Sequence, residues 1–180
     1  MADSDFASWM IEFARPGAVW YAKRLAANDT LATEAHQAGP YIPKLLAFQI
    51  FPELNDPAKK NPDKEFPLTI DSRYDKRQAR VIWYNNKLFG GTRDETRITK
   101  FGGRKSAVLD PDSTGTIAVF AFLLDEHGVF EDCRVWVCRN TADVDLIEER
   151  LGPSAIAVLE NQIEQLLAIL TQIGIEVRQV

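Results

Sequence analysis

The chain has 180 residues, of which 46% are hydrophobic and 26% charged, with a formal net charge of -5. That length supports one full hydrophobic core and is short for two. The most apolar run, Ile117 to Leu124, is of strand length and ends at Asp125-Glu126, so no segment has the length or composition of a membrane-spanning helix. Charge is distributed unevenly: 17 basic and 13 acidic residues up to Lys105 give +4, and 4 basic and 13 acidic residues after it give -9. A polyanionic partner would therefore need a defined docking site, because the whole chain repels it.

Met1 to Asp5 carries acids where a secretory leader or organellar presequence carries basic residues, and a cytoplasmic location is expected. Phe6, Trp9, Met10 and Phe13 recur at helical spacing behind Asp3 and Ser4 as a capping region, and Pro16-Gly17 closes a short amphipathic helix. Val19 to Leu25 reads as a strand entering a polar loop that begins with Asn28-Asp29-Thr30 and runs to about Pro40. Tyr41 to Pro43 reads as extended, Leu45 to Phe51 as a short helix, and Asn55 to Asp63 as an exposed connection. From Phe66 the pattern is strand-like: Phe66 to Ile70, Arg80 to Tyr84, Arg97 to Phe101, Thr116 to Leu124 and Arg134 to Cys138. Helical signals return over Val144 to Leu151 and, after Gly152-Pro153, in the apolar stripe Leu159, Ile163, Leu166, Leu167 and Leu170. The order predicts an α+β domain in which a curved or barrel-like sheet is braced by helices.

Cys133 and Cys138 are the only cysteines, and their odd separation on a strand sends them to opposite faces, so half-buried free thiols are expected rather than a disulfide. His36 and His127 have no Cys or His at ligand spacing, and no structural metal is expected.

Ten of the basic residues fall between Arg73 and Lys105, against three acids. Within this stretch Gly90-Gly91 ends one strand and Ile98 begins another, so Thr92 to Arg97 is expected to form an exposed tip. If the tip is extended, Arg93, Glu95 and Arg97 share a face, with Thr92, Asp94 and Thr96 between them. Arginine can donate in pairs to guanine O6 and N7, and a carboxylate can accept from cytosine N4, so this face has the groups needed to read G·C pairs. A solvated hairpin, in which Arg93 and Arg97 merely flank Glu95, is the competing reading. Basic flanks, among them Arg80, Lys100 and Arg104, supply candidate phosphate contacts but do not by themselves distinguish DNA from RNA or an acidic protein.

The polar loop is a second candidate. Glu34 and His36 could form an acid/base pair, yet no nucleophile accompanies them, and an ordinary loop capped by Asn28 and Asp29 is the default. A metal-dependent nuclease commonly needs an acid two residues before a lysine, and none of the nine lysines has one.

Lys23-Arg24-Leu25, Ala27 to Thr30, Ala32-Thr33, His36-Gln37, Gly39 and Tyr41-Ile42-Pro43 resemble the amino-terminal effector domain of EcoRII-like type IIE restriction endonucleases. The resemblance continues in order through Tyr84-Asn85, Phe89-Gly90, Thr92-Arg93, Glu95, Arg97-Ile98-Thr99, Asp110-Pro111, Thr114-Gly115 and Trp136-Val137-Cys138, covering about Trp9 to Gly152. It implies a DNA-binding pseudobarrel over residues 1–152, with residues 153–180 a carboxyl-terminal helix that packs on the core or joins a catalytic domain. It also implies a monomeric module that grips double-stranded DNA in the major groove with two arms and reads one copy of 5′-CCWGG-3′ without cutting it. A separate carboxyl-terminal nuclease domain of the same polypeptide would do the cutting; Mg²⁺ is expected only there, with no cofactor for this domain.

By position, the first arm would contain Thr33, Glu34, His36, Gln37 and Tyr41, and the second Thr92, Arg93, Asp94, Glu95, Thr96 and Arg97. Lys23, Arg24, Arg80, Lys100 and Arg104 would contact phosphates. Gly91 and Thr96 stand where the family has lysines, and Glu34-Ala35 where it has two glycines, so two positive contacts are absent and the first arm's backbone freedom is altered. A nuclease with an unrecognised active site and a protein-interaction module built on the Leu159 to Leu170 stripe remain as rivals.

Overall fold

The computed structural model describes residues 5–33, 39–138 and 141–151. In chain order its elements are α1 (Asp5–Phe13), β1 (Ala18–Arg24), α2 (Lys44–Ile50), β2 (Asp63–Ile70), β3 (Asp75–Tyr84), β4 (Glu95–Thr99), β5 (Ile117–Leu124), β6 (Phe130–Val137) and α3 (Thr141–Leu151), joined by short 3₁₀ turns. The strands form one six-stranded sheet in the order β1-β5-β6-β2-β3-β4. Neighbours are antiparallel except β2 and β6, which run parallel through Thr69↔Arg134 and Ile70↔Val135. The result is a mixed-sheet half-barrel with flanking helices, the α+β arrangement that the run of strands between helices predicted.

Period-two alternation explains why this sheet has two cores. Along β5, Ala118, Phe120 and Phe122 enter the barrel interior with Tyr21, Phe51, Phe66, Cys133 and Val135, while Val119, Ala121 and Leu123 enter a second cluster. That second cluster is closed by α1, whose Phe6, Trp9, Met10 and Phe13 pack on Trp20 and Ala22 of β1. Burying each such large side chain is worth roughly 1.5–3 kcal/mol, so α1 is held by its stripe rather than by its nine residues of helix. The cap expected at Asp3 and Ser4, and the Leu159 to Leu170 stripe, lie outside the described residues.

Cys133 and Cys138 are free and occupy the two different clusters, on opposite faces as expected. Both are fully buried rather than half-buried, and burial pushes both thiols well above their ordinary pKa.

The open edges of the half-barrel, β1 and β4, are joined by the chain between them. Tyr41 forms an isolated antiparallel bridge to Arg97 of β4, with Ile98 donating its N–H to the Pro40 carbonyl and Ile42 to the Thr96 carbonyl. From β1, the Tyr21 hydroxyl donates to the Tyr41 carbonyl at 2.8 Å. The extended segment expected at Tyr41 to Pro43 is therefore the seam of the barrel. Gly39 enters this seam at φ +141°, where an added Cβ would lie 2.0 Å from the Ile98 carbonyl oxygen, so no other residue can make the approach.

Candidate nucleic-acid interface

The β3–β4 pair places the charged residues by register. Tyr84 faces Glu95, Ile82 faces Arg97 and Arg80 faces Thr99, and these pairs look away from the interior that Val81 and Ile98 enter. Arg93, just before β4, lays its guanidinium 3.7 Å above the centre of the Tyr84 ring and donates from Nε to Glu95 at 2.5 Å. Arg97 donates from Nε to the same Glu95 oxygen at 3.2 Å and from Nη1 to the Gly39 carbonyl at 2.8 Å. Arg93, Glu95 and Arg97 thus share one face as alternation required. Burial raises the Glu95 carboxyl, but the hydrogen bonds and charges of Arg97 and Arg93 outweigh it, leaving the pKa lowered and the group ionised.

The residues between them go elsewhere. Thr96 points inward, is fully buried, and its Oγ1 finds no hydrogen-bond partner among the described residues. Asp94 accepts from Trp83 Nε1 at 2.7 Å and from Lys44 Nζ at 2.9 Å, which ties the tip to α2 and lowers its pKa, the Trp83 bond first and Lys44 second. Thr92 to Glu95 of the tip keep partial or full exposure, whereas Thr96 is closed to solvent and Arg97 is 8% exposed. The expected exposed tip, Thr92 to Arg97, is therefore corrected: strand pairing begins at Glu95, so Thr96 belongs to the interior and Arg97 to the seam. Thr96 is not placed to read a base in this conformation, and the exposed Asp94 already accepts from Trp83 and Lys44.

The first arm leaves and re-enters the fold beside this set. Thr33 is exposed on its outgoing side, and Tyr41 is half-buried on its return, with its ring centre 5.9 Å from Lys23 Nζ. Glu34, His36 and Gln37 lie outside the described residues. One residue that sequence reasoning treated as a turn former sits between the arms: Asp29 is 1% exposed and binds both arm roots. Its Oδ2 accepts from the Ala26 N–H at 2.8 Å and meets Lys23 Nζ at 3.3 Å, while Oδ1 accepts from the Tyr41 N–H at 3.4 Å and meets Arg97 Nη1 at 3.5 Å.

A family model described as restriction endonuclease EcoRII, N-terminal, matches residues 14–162. The chain belongs to the EcoRII N-terminal family. The type II restriction enzyme EcoRII of Escherichia coli is 38% identical over 157 residues, covering 84% of this chain and 38% of that enzyme. The chain thus spans well under half the length of this relative. A crystal structure of the UbaLAI restriction endonuclease B3 domain with cognate DNA superposes with a TM-score of 0.53 over 82% of this chain and 87% of that one, at 18% identity. The EcoRII N-terminal fold is therefore also seen as a B3-type pseudobarrel.

In this EcoRII N-terminal domain, the basic stretch is less open than its composition suggests. Lys100 pairs with Glu65, Arg80 reaches Asp63 at 4.0 Å, Arg77 pairs with Asp75 at 3.0 Å and Arg73 with Asp110 at 3.7 Å. Lys76, Lys87, Arg104 and Lys105 form no ion pair among the described residues. Lys23, expected at a phosphate, is instead a buried strand residue facing Asp29, and Arg24 donates to the Gly115 carbonyl at 2.5 Å. Lys100 and Arg80 would have to exchange these acids for phosphate, whereas Arg104 is already exposed on its 3₁₀ turn.

Proposed function

We propose that this chain is the DNA-binding effector module of a restriction endonuclease, reading 5′-CCWGG-3′ through the major groove with two arms and not cutting DNA itself. The observation that carries the reading is the Arg93–Glu95–Arg97 set, in which one ionised carboxylate holds two guanidinium groups beside the return of the first arm. Such a set presents the half-exposed Arg93 as a paired donor for guanine O6 and N7 and Glu95 as an acceptor for cytosine N4, with the buried Arg97 holding them in fixed relation, each good pair being worth about 1–3 kcal/mol of discrimination. The first arm, with Thr33 and Tyr41 at its described ends and Glu34, His36 and Gln37 between them, takes the other half of the nearly symmetric site. Phosphate contacts fall to Arg104, Lys100 and Arg80, which position the readers without reading sequence.

Membership in the EcoRII N-terminal family and the likeness to a B3 domain crystallised with its cognate DNA support DNA as the partner. The lack of any acid two residues before a lysine supports a non-cutting role, with Mg²⁺-dependent cleavage assigned to a separate carboxyl-terminal nuclease domain. We assign the module to the bacterial cytoplasm as a monomer with no cofactor of its own.

A gel-shift competition between a CCWGG duplex and one with a changed outer base pair tests the central reading. A preference of about tenfold or more is expected from one mismatched pair, and equal affinity overturns it. Incubation with plasmid and Mg²⁺ is expected to leave the DNA intact; reproducible cutting at defined sites overturns the non-catalytic assignment.

A further inference from the structure

We propose that Asp29 is a positioning residue for DNA reading: a buried carboxylate that fixes the roots of the two arms at one spacing. The inference rests on the two-arm reading above and adds the element that makes the two arms one instrument. Three separate pieces of chain meet at its two oxygens. The outgoing root of the first arm is held by the Ala26 N–H on Oδ2, its return by the Tyr41 N–H on Oδ1, and the root of the second arm by Arg97 Nη1, 3.5 Å from Oδ1. Lys23, only 8% exposed, anchors Oδ2 to β1 at 3.3 Å.

The arrangement is a relay rather than a local turn. Arg97 passes the constraint onward, because the same guanidinium binds the Gly39 carbonyl and Glu95, and Glu95 in turn holds Arg93 on the Tyr84 ring. From Asp29 to Arg93 every link joins opposite charges, at 3.5 Å from Asp29 to Arg97, 3.2 Å from Arg97 to Glu95 and 2.5 Å from Glu95 to Arg93. Two cations share the Asp29 carboxylate at a site nearly closed to water, so removing the anion withdraws a buried countercharge from each. Asparagine is the informative replacement: it keeps the size and one accepting oxygen, but turns an N–H₂ group toward either Lys23 or Arg97. The arms then keep their residues and lose their common origin.

The consequence is specific to discrimination. A half-site reader tolerates slack on its own, but two readers that must fit one short site in register do not. Asp29→Asn is expected to lower the ratio of affinities for a CCWGG duplex and a duplex with a changed outer base pair by about tenfold, the scale of losing one reading contact. Affinity for the changed duplex is expected to hold or rise, because the variant removes a negative charge beside two cations. A merely structural role would lower the folded fraction, which scales both affinities together and leaves their ratio where it was.

Lys23→Met provides the second readout should Asp29→Asn fail to fold. It keeps the aliphatic stem in the strand and unhooks the same carboxylate from β1, and it is expected to lower the ratio about threefold. If Lys23 contacted phosphate instead, both duplexes would weaken equally. An unchanged ratio in a folded variant overturns the role of Asp29, whereas absence of any preference in the unmodified protein overturns the two-arm reading itself.

Discussion

The two proposed arms are rooted in the fold with different materials. The second grows from a regular β-hairpin: strand register sets the face, Tyr84 supports Arg93, and Lys44 and Trp83 clamp Asp94 onto α2. The first has no strand over its described residues 25–33, and its roots are held by backbone bonds to β4 and by one buried carboxylate. An arm built on a strand inherits precision from the sheet, whereas an arm built on a loop must have its precision supplied at its base.

The harshest way to break this contrast is at its glycines. Gly39→Ala would drive a Cβ to 2.0 Å from a backbone oxygen that pairing holds in place, at a φ of +141°. A loss of about 3 kcal/mol or more in urea unfolding is expected, together with loss of specific binding. Gly90→Ala, at the tip of the second arm, meets nothing within 4 Å and carries only the left-handed strain of φ +81°. About 1–2 kcal/mol is expected there, with binding largely kept. Equal costs at the two sites would mean that the first-arm root is no more constrained than an open turn.

Next in size is Arg93→Ala. It removes a proposed reader, and a loss of about 1–3 kcal/mol on the cognate duplex with relaxed base choice is expected in competition gel shifts. Tyr84→Leu sharpens the point by leaving Arg93 in place and taking away the ring beneath it. Its cost should be smaller, about 0.5–2 kcal/mol, and confined to the cognate duplex. An Arg93 variant with full discrimination would return the tip to a solvated hairpin.

Smaller still are the effects expected at the proposed phosphate contacts. Arg104→Ala should weaken cognate and altered duplexes alike and reduce the slope of log affinity against log salt by about one. Lys100→Ala should do the same to a lesser degree, because Lys100 must first leave Glu65. A larger effect at Lys100 than at Arg104 would show that its ion pair with Glu65 is not kept when DNA binds.

These variants also mark what the sequence could and could not disclose. Strand alternation was legible, and it correctly put Arg93, Glu95 and Arg97 on one face; the same alternation sends Thr96 inward, because strand pairing starts at Glu95 and not after the tip. Asp29 was not legible. An Asn-Asp-Thr run has the composition of a turn, and Asp29 does accept from the Ala26 N–H as a turn former would. Its second role depends on Arg97, far along the chain, arriving at the same point. Likewise, charge counting located the basic stretch but not its neutralisation, since Glu65, Asp63 and Asp110 come from other elements.

The smallest expected effect is the most direct check on the strand register. Thr96→Val replaces a hydroxyl with a methyl of nearly equal size at a site closed to solvent, where the hydroxyl has no partner among the described residues. Removing a buried polar group that makes no hydrogen bond is neutral or stabilising, so a change within about 0.5 kcal/mol, or a modest gain, is expected on urea unfolding. Affinity and discrimination should both stay as they were, because Arg97 and Glu95 on either side remain on the outer face. A loss of cognate binding with unchanged stability would place the Thr96 hydroxyl at the DNA, and that would require β4 to slip by one residue, exchanging every inward side chain of the second arm for an outward one.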